Sequence, residues 1–287
     1  MKKWIALMLC TLMLLPVCAS AEEPVIINKI KNPLNDFAFP EDAQLLEIYF
    51  PKIYDCSAAF IRYGEYSMLF DSTDLQWPEV TKLLNKLGVT EITYACNSHP
   101  HTDHVWGFKF VLEEIKAGEF LRFFGDYYKD ANDTAMKVYT ALREKEIPIR
   151  QLGDGDQIEF GDVNITVMQT LDEKFSGNNE SALLMIELGE RRFLFASDIQ
   201  RDAQLRYVEN QANLKADILQ YPHHGYNRMQ LSFLNAVNPE LVIVTSLSSA
   251  ANGVQLLKEK NIDFQYTNSG IVKMATDGNV WVVEWLK

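Results

Sequence analysis

Short apolar runs alternate with amphipathic segments along this chain, from about residue 44 to its end. Apolar or β-branched runs predict strands, and apolar positions three and four residues apart predict helices. The predicted strands cover residues 45–50, 58–63, 67–70, 91–96, 121–124, 157–160, 163–169, 182–188, 193–196, 216–221, 241–245, 263–266, 271–275 and 280–285. The predicted helices cover residues 78–87, 107–117, 130–145, 199–211, 232–237 and 253–260.

The order of these elements predicts an α/β fold. The chain starts strand-rich, mixes helices with strands through its middle and ends with a hairpin that turns at Asp277-Gly278. The apolar face of a sheet and the apolar side of a helix must each be buried against another element. This order therefore favours two sheets with helices packed on their outer faces. We expect one domain over residues 44–287, preceded at 22–43 by an irregular arm with three prolines.

The first 21 residues are typical of a secretory signal. Lys2 and Lys3 precede an apolar run at 4–17, and small residues follow at 19–21. The run is shorter than the ~20 residues that a membrane-spanning helix needs. We therefore expect a secreted protein whose mature chain has no transmembrane segment; a retained anchor, or a lipoprotein processed at Cys18, is an alternative.

The charge balance excludes one class of function. The chain of 287 residues has a formal net charge of −12, and because residues 1–21 hold two lysines and no acid, a mature chain would be more acidic still. Such a chain does not offer the broad basic surface that grips nucleic acid. A small or exposed anionic substrate, bound locally at a cationic centre, is compatible with the charge.

Two cysteines, Cys56 and Cys96, lie in the mature chain, both in apolar surroundings. An oxidising exterior permits a disulfide between them, and two buried free thiols are an equal alternative. Neither cysteine has the CxxC spacing of a zinc site.

The strongest chemical signal is the segment Ser-His-Pro-His-Thr-Asp-His at 98–104, which directly follows a predicted strand. It carries His99, His101, Asp103 and His104, and so holds three of the five histidines in the chain. Imidazole and carboxylate groups are the usual ligands of zinc, iron and manganese. On a loop, two of these ligands can face one metal while the other two face a second metal.

The remaining histidines and one acid also follow strands. His223 and His224 stand together after the strand at 216–221, and Asp198 follows the strand at 193–196. Asp198 could cap the next helix, but its position between the histidine clusters favours a bridging metal ligand.

These residues resemble a known family. His-x-His-x-Asp-His after a strand is typical of the metallo-β-lactamase superfamily, and three later segments resemble its branch that contains the C-terminal hydrolase domain of ComEC-type competence proteins. Those segments are Asn-Asn-Glu-Ser at 178–181, Ser-Asp at 197–198 and Pro-His-His-Gly at 222–225. The resemblance covers roughly residues 44–285 and implies an αββα sandwich of two mixed sheets flanked by helices.

The resemblance also implies roles for individual residues. It implies metal ligands at His99, His101, Asp103, His104 and Asp198, with one or both of His223 and His224. Asp71 matches a strand-end acid that supports the metal loop from behind the ligands; capping of a turn is the equal alternative.

The sequence departs from the family at several positions. The wider superfamily supplies another histidine before the bridging acid, but Asn178 or Asn179 stands there, so we expect one of two metal sites to be weaker and manganese to be as suitable as zinc. The branch also has Gly, Ser and Gly-Asp where Ser197, Tyr226 and Tyr54-Asp55 stand in this chain.

The resemblance predicts a hydrolase that uses a metal-activated water, most plausibly on a phosphodiester. Asp103 is expected to orient the water and accept its proton, and the histidine of the 223–224 pair that does not bind metal is expected to protonate the leaving group. Alternatives are hydrolysis of an ester, lactone or β-lactam, and a non-catalytic metal-binding module.

Residues near the predicted site could contact the substrate. Tyr226 and Arg228 could form its rim, with Arg228 as an anion contact or a solvated surface residue. Trp106, Tyr127 and Tyr128 could stack on a base or sugar, although packing in a core or lid is the favoured interpretation.

Overall fold

The computed structural model describes residues 25–28, 37–124, 133–170, 175 and 177–286. Its strands are β1 (Val25–Asn28), β2 (Leu46–Phe50), β3 (Ala59–Tyr63), β4 (Tyr66–Phe70), β5 (Glu91–Asn97), β6 (Lys116–Arg122), β7 (Ile149–Gln151), β8 (Gln157–Ile158), β9 (Asn164–Met168), β10 (Leu183–Leu188), β11 (Arg191–Phe195), β12 (Ile218–Gln220), β13 (Leu241–Val244), β14 (Asp263–Tyr266), β15 (Ile271–Thr276) and β16 (Trp281–Leu286). Its α-helices are α1 (Trp77–Lys86), α2 (Thr102–Val105), α3 (Phe108–Glu114), α4 (Asp133–Glu144), α5 (Arg201–Glu209), α6 (Leu231–Val237) and α7 (Gln255–Lys260).

The strands form two mixed sheets. One sheet has the order β1-β16-β15-β2-β3-β4-β5-β6-β7, and the other has the order β14-β13-β12-β11-β10-β9-β8. Strands β4 to β7 run parallel to one another, as do β11 to β14, while the hairpins β3–β4 and β10–β11 are antiparallel.

The sheets pack face to face, and helices cover their outer faces. Strand β10 shows why: Leu184 and Ile186 lie in the core between the sheets, while Leu183 and Met185 lie in the core under α5, α6 and α7. Successive side chains of a strand point to opposite faces, so a strand covered on both sides must be apolar at almost every position. A third core lies between the first sheet and helices α1, α3 and α4. The predicted αββα sandwich is therefore present.

Helix α1 forms where local rules agree. Val80, Leu83 and Leu84 recur at helical spacing and are buried, and Pro78 occupies the first turn, where its missing N–H costs nothing. Gly88 follows at φ 70°, the left-handed conformation that ends helices and that glycine adopts without strain.

Three predictions of secondary structure need correction. The helix predicted over 107–117 ends at Glu114, because residues from Lys116 onward pair in parallel with β5, and Gly118 lies inside β6 instead of stopping a helix. The arm predicted to be irregular contains β1, which pairs with β16 at the sheet edge. The metal-ligand loop includes one helical turn, α2.

Two other predictions concern the compartment and the cysteines. The signal segment lies outside the described residues, and no helix in the described part of the chain is both long and apolar enough to cross a bilayer. Cys56 and Cys96 are buried free thiols in different cores, so the disulfide alternative is not adopted.

The carboxyl ends of the parallel strands meet at one edge of the sandwich. Asp71 and the 98–104 segment follow β4 and β5, and Asp198 and the histidine pair follow β11 and β12. Since the two sheets face each other, residues from four strand ends converge there.

Candidate metal centre

Four side chains converge between the two sheets. One ligand atom each from Asp103, His104, Asp198 and His224 lies within 4.8 Å of all the others. His104 Nε2 lies 3.2 Å from Asp198 Oδ1, and His224 Nε2 lies 3.2 Å from Asp103 Oδ2 and 3.5 Å from Asp198 Oδ2. Two carboxylates and two imidazoles in this space form a donor set suited to a divalent cation.

His99 and His101 extend the cluster on one side. His99 Nε2 lies 3.8 Å from Asp198 Oδ2, the oxygen that His224 also approaches, while His104 approaches Asp198 Oδ1. The ring of His101 lies 4.6 Å from that of His99, and His101 is partly exposed. Asp198 is thus placed where a bridging ligand would be; the N-cap of α5 is Gln200, so Asp198 does not cap that helix.

Hydrogen bonds behind the ring of His104 fix its orientation. Nδ1 of His104 lies 2.7 Å from Asp71 Oδ2, and Asp71 also accepts from the Ser98 amide at 2.8 Å and the Ser98 hydroxyl at 2.9 Å. With Nδ1–H donated to Asp71, Nε2 is the nitrogen that faces Asp198 and Asp103. Asp71 therefore supports the metal loop, and the turn-capping alternative does not describe its contacts.

The same arrangement recurs behind the other two buried histidines. Because the Ser98 hydroxyl donates to Asp71, its oxygen accepts from His99 Nδ1 at 3.0 Å. His224 Nδ1 lies 2.9 Å from Thr245 Oγ1. All three imidazoles consequently present Nε2 to the cluster.

The loop at 98–104 is also held by hydrogen bonds of the Asn97 side chain. Its side-chain amide donates to the carbonyl of His99 at 2.7 Å and accepts from the Tyr139 hydroxyl of α4 at 3.1 Å. Both residues are buried. The loop geometry is thus set by the packing of α4 on the first sheet as well as by the loop sequence.

His223 lies beside the cluster of four but is not one of its members. Its Nδ1 accepts from the side-chain amides of Gln200 at 3.2 Å and Asn227 at 3.1 Å, and its Nε2 lies 3.1 Å from the amide nitrogen of Asn178. Asn179 instead accepts from the backbone N–H of Gln200. Of the adjacent pair, His224 is the buried member beside the carboxylates, and His223 is partly exposed and surrounded by amides.

The backbone at the site adopts an uncommon conformation. Asp71, Ser197, His223 and His224 all have φ between 47° and 58°, in the left-handed region that residues with a side chain seldom enter. Such conformations cost of order 1–3 kcal/mol each and persist where surrounding contacts enforce them. The positive φ of Ser197 also explains why glycine is suitable at this position in the branch that the sequence resembles.

Electrostatics inside the cluster favour a bound cation. Burial raises the pKa of Asp198, but the imidazoles of His104 and His224 outweigh it and hold this pKa well below its usual range. Burial lowers the pKa of His224, but Asp198 and Asp103 outweigh it and raise this pKa to about 9. In the absence of other cations, the carboxylates therefore keep protons on the imidazoles between them.

His99 behaves differently from the other buried rings. Burial and the nearby His104 lower its pKa well below the ordinary value, so His99 is neutral and its Nε2 carries a lone pair. Within this cluster, three buried atoms of the described residues lack a hydrogen-bond partner of suitable geometry: His99 Nε2, His104 Nε2 and Asp198 Oδ1. Buried polar atoms without partners are costly, and all three point into the same space, so the residues fit a divalent metal.

The predicted rim residues lie in different settings. The ring of Tyr226 packs edge-on against His223 and His224, with centroids 5.4 and 5.6 Å away. Arg228 is exposed and pairs with Glu259 through two hydrogen bonds, which places its guanidinium in a surface ion pair rather than at an anion site. Trp106 packs on Phe110, and Tyr127 and Tyr128 lie outside the described residues.

Several residues that hydrogen-bond to the histidines of the site were not predicted from the sequence. Ser98 lies inside the recognised motif, but its hydroxyl has no sequence pattern of its own. Thr245 directly follows β13, so the rule that located the other site residues, namely a polar residue after a buried strand, would have found it. Gln200 and Asn227 carry no comparable signal.

Comparisons with known proteins agree with this geometry. Residues 53–245 match the family model described as the metallo-beta-lactamase superfamily. ComE operon protein 3 of Bacillus subtilis (strain 168) is 23% identical over 165 residues, which is 57% of this chain and 21% of that protein. The chain thus spans about a fifth of the curated relative that it matches.

Solved structures show the same fold. CmlA, a diiron beta-hydroxylase from Streptomyces venezuelae, superposes with a TM-score of 0.53 at 12% identity, over 86% of this chain and 55% of that one. A putative metal-dependent hydrolase from Parabacteroides distasonis ATCC 8503 has a TM-score of 0.50 at 13% identity, over 78% of this chain and 93% of that one. At such identities the likeness concerns the fold alone.

Proposed function

Because the chain belongs to the metallo-β-lactamase superfamily, we propose that it is a secreted hydrolase that requires divalent metal ions and cleaves phosphodiesters. The family match and the structural neighbours confirm the predicted family and the αββα fold class, and the candidate metal cluster supports the assignment as a metal-dependent hydrolase. The substrate class, the identity and number of the metals, and secretion are the parts that we propose.

One observation carries the proposal. The imidazoles of His99, His104 and His224 are each held at Nδ1 by a partner behind the ring, so their Nε2 atoms face the carboxylates of Asp103 and Asp198. A loop with a purely structural role would not need buried imidazoles whose Nε2 atoms are preorganised to face two carboxylates. This arrangement is expected for a metal centre.

The residues divide into two candidate ligand sets. Asp103, His104 and His224 would hold one ion and His99 and His101 the other, with Asp198 between them. The second set has the fewer donors, because Asn178 lies beside His223 where the superfamily supplies a histidine. We therefore expect a weaker second site, and either zinc or manganese is compatible with the donors.

When bound, such ions lower the pKa of a coordinated water and polarise an oxygen of the substrate. Asp103 is the member of the cluster that solvent reaches, since its side chain is 33% exposed whereas those of His104 and His224 are fully buried. Burial raises the pKa of the Asp103 carboxyl group, but His104 and His224, whose Nε2 lies 3.2 Å from Asp103 Oδ2, outweigh burial and hold this pKa below its usual range. We assign Asp103 to orient the attacking water and to accept its proton.

His223 has a different role in this proposal. Its amide partners hold the ring at the partly exposed edge of the site, next to Tyr226. We place it where it contacts the leaving group, as the residue expected to donate a proton there.

The phosphodiester assignment rests on the resemblance of the Pro-His-His-Gly segment to the ComEC-type branch, and similarity to part of ComE operon protein 3 supports that resemblance. The acidic chain, with a net charge of −12, agrees with a small or exposed anionic substrate rather than with long nucleic acid. Secretion is supported by the first 21 residues, with Cys18 as an alternative lipid attachment site.

A panel of three substrates tests the proposal. Purified protein loaded with zinc or manganese is incubated with bis-p-nitrophenyl phosphate, with a lactone and with nitrocefin. We expect turnover of the phosphodiester that disappears on chelation. Turnover of the lactone or nitrocefin without phosphodiester activity would support the alternative hydrolase. Stable metal binding without turnover of any substrate would support a non-catalytic metal-binding module, and fewer than one bound metal per chain would contradict the proposed metal centre.

A further inference from the structure

A cleft of about 310 Å³ lies between helix α1 and the paired ends of strands β15 and β16. The residues that α1 contributes recur at spacings of three and four, which places them on one face of the helix: Glu79, Lys82, Leu83 and Lys86. The strands contribute Ile271 and Leu286, which pair with each other. None of the described residues that line the cleft belongs to the metal centre.

The inner side of this cleft is apolar. Leu83 is buried in the core between the first sheet and its helices, and Ile271 and Leu286 pack against the same core while remaining partly exposed. Removing the exposed part of such side chains from water is favourable. A hydrocarbon group in the cleft would therefore extend the core outwards over these three residues.

The outer side of the cleft carries positive charge. Lys52, Lys82 and Lys86 line it and are exposed, and Glu79 is the one acid among the described residues that line it. Lys82 Nζ lies 3.5 Å from Glu79 Oε2, an ion pair that solvent reaches and that has little energy. The whole chain has 39 acidic and 27 basic residues, so the charge of this cleft is opposite to that of the protein.

The size of the cleft limits its ligand. Its volume of about 310 Å³ is at the lower end of the range for small-molecule sites. At the ~30 Å³ that a water molecule occupies in the liquid, the cleft has room for about ten non-hydrogen atoms.

We propose that this lysine-lined cleft binds a small amphipathic anion, a short hydrocarbon chain that ends in a carboxylate or a similar anionic group. The chain covers Leu83, Ile271 and Leu286, and the anionic group contacts the ammonium groups of the lysines. A neutral hydrocarbon would leave the charge of the lysines unmatched, and a small inorganic anion would leave the apolar side uncovered. The inference does not depend on the proposed hydrolysis, because the cleft and the metal centre share no residue.

Titration with octanoate, which is of about the right size, tests the inference. The zinc-loaded full-length protein is labelled with nitrogen-15 at glycine, and amide NMR signals are followed during the titration. Gly270 lines the cleft, whereas Gly225 directly follows the candidate ligand His224 and reports on the metal centre. The Gly270 signal is identified as the one absent from Gly270→Ala, in which the new Cβ meets only the Leu286 carbonyl oxygen, at 3.3 Å.

We expect octanoate to shift the Gly270 signal to saturation. Acetate, which has the charge without the chain, and 1-octanol, which has the chain without the charge, should each bind at least tenfold more weakly. In the double variant Lys52→Gln and Lys82→Gln, the affinity for octanoate should fall about tenfold, the factor that corresponds to about 1.4 kcal/mol for two exposed charge contacts. Glutamine keeps the helix propensity of lysine in α1.

The matched control is the double variant Lys258→Gln and Lys260→Gln, which removes the same charge from exposed positions of α7 outside the cleft and should keep the wild-type affinity. Any of four results would overturn the inference: no shift of Gly270, a shift confined to Gly225, acetate or 1-octanol binding as tightly as octanoate, or equal affinities in the two double variants. A shift confined to Gly225 would mean that octanoate binds at the metals.

Discussion

Replacement of Asp71 by Asn tests whether partners behind the ligands determine metal binding. Asp71 is fully buried and accepts from His104 Nδ1 at 2.7 Å and from the amide and hydroxyl of Ser98 at 2.8 and 2.9 Å. Asparagine keeps the shape of the side chain, and it tolerates the left-handed φ of 58° at this position. The substitution therefore removes the charge with little added backbone strain.

The expected magnitude follows from the contacts that change. Asparagine offers one acceptor oxygen, and it presents an NH₂ group in place of the other carboxylate oxygen. Either His104 or Ser98 therefore loses its hydrogen-bond acceptor. Loss of such a partner lowers metal affinity by about 10- to 100-fold. A buried donor left without an acceptor also costs about 1–3 kcal/mol of stability.

Metal affinity is measured by competition with a chromophoric chelator, and stability by urea unfolding of the metal-free protein. The matched control is Asp217→Asn, because Asp217 accepts from the backbone N–H of Arg192 in the second sheet at 2.8 Å and from the indole of Trp281 in the first sheet at 3.2 Å, and it lies before β12 whereas the ligands follow the strands. The control should lose stability and keep its metal affinity. If Asp71→Asn binds metal with an affinity within twofold of the wild type, or if both variants lose affinity equally, the hydrogen bonds of Asp71 do not determine metal binding.

Three further predictions concern the loop, the protons and the chemistry. Gly107→Ala should destabilise the protein by more than about 3 kcal/mol in thermal unfolding, because a Cβ there would lie 1.6 Å from the Ser72 carbonyl oxygen. The control Gly153→Ala should change stability little, because the space around its Cβ is open. Wild-type stability in Gly107→Ala would contradict the close packing of this loop. Burial lowers the pKa of His224, but Asp198 and Asp103 outweigh it and raise this pKa to about 9. Protonation of His224 should therefore stabilise the metal-free protein fully below pH ~6.5, and this contribution should disappear as the pH rises through about 9. Urea unfolding with chelator at pH 6.5 and 9.5 measures the contribution, and equal or greater stability at the higher pH would contradict it. Asp103→Ala should abolish turnover of bis-p-nitrophenyl phosphate while circular dichroism shows a folded protein, and unchanged turnover would mean that the proton acceptor is another group.

The sequence was sufficient for the fold class and for the candidate ligands. Each ligand lies directly after an apolar strand, and the carboxyl ends of parallel strands in facing sheets meet at one edge. Position relative to a strand therefore carried most of the information about Asp103, His104, Asp198 and the histidine pair.

The choice between His223 and His224 was beyond the sequence. Both residues follow the same strand and both adopt positive φ, but only the ring of His224 turns into the cluster. The ring of His224 is oriented by Thr245 after the next strand, and the ring of His223 is held by the amides of Gln200 and Asn227. Thr245 and Gln200 are distant from the pair in sequence, and the nearby Asn227 does not indicate by its position which ring it binds.

The misplaced helix end has a similar cause. Ile115 and Ala117 continue the apolar spacing of α3, but the backbone is already extended at Ile115, with φ −110° and ψ 126°. Pairing between β5 and β6 satisfies backbone hydrogen bonds along seven residues of β6 and outweighs the local preference. Non-local pairing of this kind cannot be read from the spacing of one segment.

The dependence of hydrolysis on bound metal is tested most directly by a titration of zinc or manganese into the metal-free protein. Turnover of bis-p-nitrophenyl phosphate and bound metal per chain are recorded together. We expect no turnover without metal and a rise in turnover that follows metal occupancy. Stable binding of one or more ions per chain without any turnover, or turnover that does not depend on metal, would contradict it.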